Sequence, residues 1–291
     1  MDGFNMGQYS VQDAAEQDSN IVRLKKDPIG VDEIKKATET LRKYKEGKSN
    51  LENRIVANEK WWKMRHWDLQ NPDIQKYDPK HASGYLFNCI MSKHADFMDS
   101  FPDPAVLPRE LGDVEEAKKL TSILPVILEQ NEFEQVYSDE VNYKLKNGTG
   151  CYGVFWDKGK LNGLGDITIK NIDLLTLFWE PGVTNIQDSQ NVFVVELVDN
   201  KKIENAFPAA KGKLGKANSG LIQKYMLDDN IPTDGKSSVV DWYYKKRIKT
   251  TDQLGVQKIQ TVLHYCKFCN GQVIYASEKC NSWCRVCYFC R

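Results

Sequence analysis

The sequence has no excess of charge of either sign, since its 291 residues carry 40 Lys and Arg against 40 Asp and Glu. A chain without net charge creates no overall field towards nucleic acid or an anionic membrane, so any contact with DNA must be local. No run reaches the ~18–20 consecutive apolar residues of a membrane span, and residues 1–20 lack the basic and apolar regions of a signal peptide. The composition predicts a cytoplasmic protein with no membrane contact.

The sequence also lacks the spacings that catalysis requires. Its 4 histidines are scattered, at His66, His81, His94 and His264. His94 and Asp96 lie two apart on a predicted helix and therefore face different ways. The glycine-rich stretch 148–153 precedes a strand and lacks the helix and lysine of a phosphate-binding loop. We therefore expect no catalytic residue, no cofactor and no enzymatic activity.

Residues 1–29 are polar, with little apolar periodicity, which predicts a flexible arm. Apolar residues then recur at helical spacing from Val31, and Gly47 supplies a stop signal for this first helix. A second helix is expected to run to Trp67. For the third helix, Asp78 is placed as the N-cap, Pro79 as the first helical residue, and several apolar residues form one stripe. These apolar residues are Ala82, Tyr85, Leu86, Cys89, Ile90 and Phe97.

Three prolines, at positions 102, 104 and 108, predict an extended passage because each one fixes φ and restricts its predecessor. Helical spacing resumes near Asp113 and continues until Gly148. Pro125 lies within this stretch and predicts a kink or a break there. One face of the first part is predicted from five apolar residues: Val114, Ala117, Leu120, Leu124 and Ile127.

Short β-like runs follow Gly148. Strands are predicted at 151–156, 166–170, 192–198, 239–248, 259–268 and 273–275. Asn270 and Gly271 tolerate positive φ and suit a two-residue hairpin turn between the last two strands. A short helix is expected around Leu221 to Met226.

These patterns predict an α+β fold in which long N-terminal helices pack on a mixed β-sheet. The expected organisation is a flexible arm over 1–29, a helical part over 30–148, a sheet part over 149–278 and an atypical cysteine-rich tail over 279–291. The tail has neither apolar periodicity nor a helix cap, so it differs from everything before it.

Six of the 8 cysteines lie at or after position 266, and the spacing of four of them raises the question of a metal site. Cys266-x2-Cys269 and Cys284-x2-Cys287 resemble the two halves of a zinc ribbon. The same residues also fit a hairpin, in which Cys266 and Cys269 lie three apart on one strand and point to opposite faces. We expect no bound metal, and a zinc-ribbon nucleic-acid-binding protein is the alternative hypothesis.

The segment 242–247 combines three aromatic residues with three basic ones. Such a segment is typical of a stacking platform beside phosphate-binding charge. Aromatic residues at strand spacing more often fill a core or a subunit contact, and the basic residues beside them keep their charge in water. We therefore favour the core interpretation.

Several stretches together resemble the portal proteins of tailed bacteriophages, especially those of prophages in Gram-positive hosts. They are LFNCIMSKHADFMDSFPDP at 86–104, GTGCYGVFWD at 148–157, FWEPG at 178–182, DSQNVF at 188–193 and VDWYYK at 240–245. The likeness spans about residues 30–278. The order of these pieces, with long helices before a sheet, resembles the wing region of that family.

The resemblance implies a structural subunit of a ring of identical chains, in the virion or the host cytoplasm. Its implied partners are terminase, capsid and neck proteins, with DNA passing through the ring. Portal subunits continue into stem helices, a clip and a crown, whereas the likeness here stops at Glu278. We therefore expect a truncated portal fragment that does not form a stable closed ring.

Overall fold

The computed structural model describes residues 29–69, 81–101, 103–157, 159–208, 211–212, 214, 235–251 and 257–277, and the architecture is that of these residues. The longer helices are α1 (Val31–Trp62), α2 (Tyr85–Asp99), α3 (Val114–Gln130), α4 (Phe133–Asn147) and α5 (Asn200–Ala206). The strands are β1 (Tyr152–Asp157), β2 (Asp166–Asn171), β3 (Leu177–Trp179), β4 (Asn191–Asp199), β5 (Lys236–Thr251), β6 (Gln257–Cys269) and β7 (Gln272–Ser277).

The strands form two sheets, a β1-β2 pair and a five-stranded sheet in the order β3-β4-β5-β6-β7. The predicted α+β class is confirmed. The prediction of a mixed sheet is wrong for the described strands, whose pairings are all antiparallel. Neighbours in the sheet are also neighbours in the sequence, and such strands pair antiparallel unless a crossover brings the chain back to the starting edge.

Helix α1 packs along one face of the five-stranded sheet. Its buried residues Ile34, Leu41 and Tyr44 recur at helical spacing, as the sequence predicts. They meet Phe193 of β4 and Trp242 of β5, which face each other across the strand pair. Full burial of a large apolar side chain stabilises a fold by about 1.5–3 kcal/mol. This cluster is therefore a main source of stability.

The predicted helix end at Gly47 is wrong, because α1 continues without interruption to Trp62. A Cβ atom at Gly47 would lie 2.7 Å from Cγ of Pro181, in the segment that follows β3. Glycine inside a helix is unfavourable by about 1 kcal/mol relative to alanine. Here its absent side chain permits close packing, and tertiary contacts outweigh the local stop signal.

A second core lies on the opposite face of β4. Val192 and Val194 point there, while Phe193 and Val195 point towards α1. Ile55 from the later part of α1 and the buried Leu174 and Leu175 complete this cluster. Strand β4 is thus covered on both faces, which explains its continuous apolar run.

Of the two alternatives predicted at Pro125, a kink or a break, the break does not occur there. Pro125 lies inside α3, and the chain turns at Asn131 and Glu132, where Glu132 has a φ of +49°. The Asn131 amide donates to the Ile127 carbonyl at 2.8 Å. Its Oδ1 accepts hydrogen bonds from the Lys160 ammonium at 3.2 Å and from the Ile169 N–H of β2 at 3.3 Å. The side chain thus joins the corner between α3 and α4 to the β1-β2 hairpin.

Other helix boundaries agree in part with the sequence. Helix α4 ends at Gly148 as predicted, with a φ of +78° and its N–H bonded to the Lys144 carbonyl at 2.8 Å. Helix α2 begins at Tyr85, so Ala82 precedes it and the predicted start is too early. Asp78 and Pro79 lie outside the described residues.

The strand predictions are confirmed at all six positions, and the β6-β7 turn is formed by Asn270 and Gly271 with φ values of +48° and +78°. Strand β3 and helix α5 were not predicted, since both are short. The helix expected around residues 221–226 lies outside the described residues.

Candidate assembly surface

The outward side of α3 carries three apolar side chains at three-residue spacing. Leu120, Ile123 and Val126 are each 50% exposed. Positions three apart on an α-helix lie close together on its surface. We call these three residues the outer face of α3. The sequence predicts one shared face for Ala117 and Leu120; Ala117 is buried there, whereas Leu120 is half exposed.

The inward side of the same helix is closed by the chain itself. Ala117 is buried, and the Thr121 hydroxyl accepts a hydrogen bond from the Val106 N–H at 3.0 Å while it donates to the Ala117 carbonyl at 2.8 Å. Helix α3 thus packs on the chain by one side and carries exposed apolar residues on the other. A helix of this kind is normally covered on both. The residues that the structure describes cover only one.

Exposed apolar residues also lie just before α3, at Leu107 and Leu111, which is 96% exposed. Single exposed leucines are common on proteins, but a group of apolar residues on one helix and the segment leading into it is characteristic of an interaction site. The outer face of α3 and this segment are therefore candidates for contact with another chain.

Helix α2 also has apolar side chains that the described residues leave exposed. None of its residues is buried, although most of one side is apolar. Phe87 packs against Trp62 in a tilted arrangement, with 4.6 Å between ring centroids. Leu86, Met91 and Phe97 stay between 40% and 42% exposed. Within the described part of the chain, Ile90 is half-buried and the other residues of the predicted stripe on α2 are exposed.

The link between α2 and α4 is a histidine–serine contact that the sequence spacing did not reveal. Nε2 of His94 lies 3.0 Å from the Ser138 hydroxyl and 3.3 Å from the Ser138 carbonyl. These residues border a cavity of about 500 Å³ that also includes Met98, Glu132 and Gln135. Serine–histidine catalysis also requires a group that orients the imidazole. No carboxylate contacts His94 among the described residues, so this geometry favours a role in helix packing.

A buried lysine ties α1 to the segment before β3. Nζ of Lys48 donates hydrogen bonds to the carbonyls of Leu174 and Leu177, the latter at 2.6 Å, and lies 4.4 Å from the centre of the Phe178 ring. Burial lowers the pKa of Lys48 to about 8, although Glu52 acts in the opposite direction. Both residues continue the buried stripe of α1, and that continuation was the available sequence signal.

The candidate zinc ligands are separated where the structure shows them. Cys266 pairs with Trp242 and belongs to the core under α1, whereas Cys269 pairs with Val239, which packs against Ile203 on the other face. Burial raises the pKa of the Cys266 thiol to about 12, which opposes formation of the thiolate that binds metal. Cys284 and Cys287 lie outside the described residues. The described part of the chain contains no cluster of three or more metal-binding side chains.

The aromatic and basic segment of β5 divides between core and surface. Trp242 is 8% exposed, and its indole N–H donates to Oδ1 of Asn191 at 3.0 Å. The core interpretation is confirmed for this residue. Lys246 and Arg247, by contrast, are exposed beyond the part of the sheet that α1 covers.

A sequence model of the phage P22-like portal protein family matches residues 99–279. This span is more than half of the 291 residues. The chain belongs to the P22-like portal protein family. The predicted resemblance to phage portal proteins is thus confirmed. The portal match covers α3, α4 and both sheets, whereas α1 and most of α2 precede it.

Portal proteins are structural rather than enzymatic, and they form oligomeric rings that meet capsid and terminase proteins. A comparison of this portal chain with curated proteins finds no match. None of the helices described for the portal chain is long and apolar enough to cross a membrane.

Proposed function

We propose that the chain is a structural subunit of the portal ring through which phage DNA is packaged and ejected. In this role it meets identical chains on both sides, terminase at one end of the ring and neck proteins at the other. The family match supports the structural role, and the uncovered helices support the contact with identical chains.

The outer face of α3 is the observation that carries this proposal. A ring made by one rotation needs two different surfaces on each subunit, because the contact is head to tail. The outer face of α3 supplies one of them, and the exposed apolar side chains of α2 supply the second. Burying both faces would remove from water apolar groups that the described residues leave exposed.

The test is to place a charge on the outer face of α3. Ile123→Asp puts a carboxylate where the proposal buries an apolar side chain, and an unpaired charge strongly opposes burial. Ser122→Asp is the matched control, since Ser122 is exposed on the same helix and points elsewhere. Light scattering after size exclusion would give the mass of each protein over a range of concentrations.

We expect the unmodified chain and Ser122→Asp to form species heavier than one chain, of mixed size and without a closed ring. Ile123→Asp should require at least a tenfold higher concentration to associate, while circular dichroism shows an unchanged fold. A wild-type chain that stays monomeric at every concentration, or an Ile123→Asp variant that associates normally, would contradict the proposed contact.

The same proposal includes the absence of catalysis. The contact of His94 with Ser138 joins two helices, so Ser138→Ala should weaken packing without removing any hydrolytic activity. Screening with ester, peptide and phosphoester substrates tests this expectation. Turnover that disappears with Ser138→Ala would overturn the structural assignment.

A further inference from the structure

Strands β5 and β6 continue beyond the sheet as a two-stranded ribbon. They pair with each other as far as Thr251 and Gln257. The pairing of β4 with β5 stops at Tyr244, and that of β7 with β6 starts at Tyr265. The six residue pairs from Lys246–Val262 to Thr251–Gln257 therefore have no other described strand beside them. At about 3.4 Å per residue, the ribbon extends for roughly 20 Å.

This ribbon concentrates positive charge, although the chain as a whole has no net charge. Its strands, residues 246–251 and 257–262, contain Lys246, Arg247, Lys249 and Lys258, and no acidic residue. Lys246 and Arg247 are both exposed. Consecutive residues of a strand point to opposite faces, so these two side chains place positive charge on both sides of the ribbon.

We propose that this basic ribbon binds the phosphate backbone of double-stranded DNA. The major groove is about 12 Å wide and admits a two-stranded β-ribbon, with phosphates along both of its walls. Charge on both ribbon faces matches two phosphate walls better than a single flat anionic surface. This proposal rests on the proposed function in one respect. Among polyanions, we choose double-stranded DNA because the proposed ring is the passage for phage DNA.

Binding to DNA would also stabilise the ribbon. A two-stranded hairpin without further strands or a packed helix is only marginally stable in water. The side chain of Ile259 is 66% exposed, so the described residues leave this part of the ribbon uncovered. Phosphate contacts would hold the ribbon without reading the base sequence, and they would weaken as salt rises.

The experiment uses the full chain and a fluorescently labelled 30-base-pair duplex of mixed sequence, with anisotropy recorded between 50 and 200 mM salt. The ribbon variant is Lys246→Glu with Arg247→Glu. The matched control is Lys201→Glu with Lys202→Glu, which makes the same charge change at an exposed pair of α5. Light scattering on the same samples records self-association separately from DNA binding.

We expect salt-dependent binding by the wild-type chain and by the α5 variant. The ribbon variant should bind at least tenfold more weakly, and the slope of log affinity against log salt should fall by about 2, since each lost phosphate contact removes about 0.9. Its self-association should match that of the wild type. A wild-type chain that self-associates but does not bind the duplex would overturn this inference and leave the proposed function standing.

Two other outcomes would also overturn it. Equal loss of binding in both variants would indicate a general effect of charge rather than a site on the ribbon. Binding to polyglutamate that is as tight as binding to the duplex, and equally sensitive to the ribbon variant, would indicate an acidic protein as the partner.

Discussion

Helices α1 and α3 differ in the side chains on their outward sides, which face away from the sheet and the other helices. The outward side of α1 is charged and carries ion pairs one turn apart, Arg42 with Glu46 at 3.4 Å and Lys43 with Glu39 at 3.6 Å. The outward side of α3 is apolar at Leu120, Ile123 and Val126. The first pattern suits water and the second suits another protein. The comparison separates the helix that holds this chain together from the helix available to join it to others.

The largest expected effect comes from truncating a leucine on each helix. Leu41 is fully buried in α1, and Leu41→Ala should lower the free energy of unfolding by about 2–5 kcal/mol. Leu120→Ala on α3 should lower it by less than about 1 kcal/mol, because Leu120 is half exposed. Urea denaturation of dilute, monomeric protein measures both. Equal losses would show that the outer face of α3 belongs to the fold and not to an interface.

A smaller effect is expected where α1 meets the segment after β3. Gly47→Ala would favour the helix locally, but its new methyl group would press on the rigid ring of Pro181. Overpacking of this kind usually lowers stability by about 1–3 kcal/mol.

Gly112→Ala is the control for this substitution, because a Cβ atom at Gly112 meets no other atom within 4 Å. Thermal unfolding monitored by circular dichroism should show a lower midpoint for Gly47→Ala only. A Gly47→Ala variant as stable as the wild type would mean that the Pro181 ring moves aside at little cost in free energy.

The buried Lys48 predicts a rise in stability with pH. Its pKa is about 8 in the folded chain because of burial, and about 10.5 when the chain unfolds. Between these values the unfolded state binds more protons, so stability increases by up to about 1.4 kcal/mol per pH unit. Denaturation curves at pH 7, 8 and 9 should show the increase.

Lys48→Met should remove this increase. Above pH 9 the trend should level off even in the wild type, because the Cys266 thiol ionises near 9 in the unfolded chain but only near 12 in the folded one. A group whose folded pKa is raised in this way loses its stabilising effect as pH rises. A wild-type stability that falls steadily from pH 7 to 9 would contradict the burial of a charged Lys48.

The smallest expected effect is on metal content. Cys266 and Cys269, the candidate zinc ligands that the structure describes, are both buried in the sheet. Chain purified in reducing buffer should contain well below one zinc per molecule, and a chelator should not change its circular dichroism. About one zinc per chain, removed by the chelator together with structure, would instead support the zinc-ribbon hypothesis.

The strands and the Asn270-Gly271 turn were predictable because their signals are local, namely alternation of apolar residues and tolerance of positive φ. Gly47 gave a local stop signal that the structure overrides, and Pro125 does not break its helix. At Gly47 the reason is a contact with Pro181, more than a hundred residues later in the chain. Such a contact leaves no trace near Gly47 in the sequence.

The candidate surfaces were less predictable than the fold. Apolar residues lie on more than one side of α3, so periodicity alone could not say which of them stay exposed: Ala117 and Leu120 share the predicted face, yet only Ala117 is buried. The basic ribbon depends on where β4 and β7 stop pairing, a matter of register between separate segments. The fact that Lys48 is buried follows from the helical stripe that it continues, although its charge argued against that reading.

The Asn131 side chain fixes the corner between α3 and α4 to the β1-β2 hairpin. One amide holds the last turn of α3, the Lys160 ammonium and the backbone of β2 at once. A neighbour that pushes on the outer face of α3 would therefore move the β1-β2 hairpin with the helix instead of bending the corner. Mechanical load applied at the rim of an assembly would thus reach the sheet side of the subunit through three hydrogen bonds.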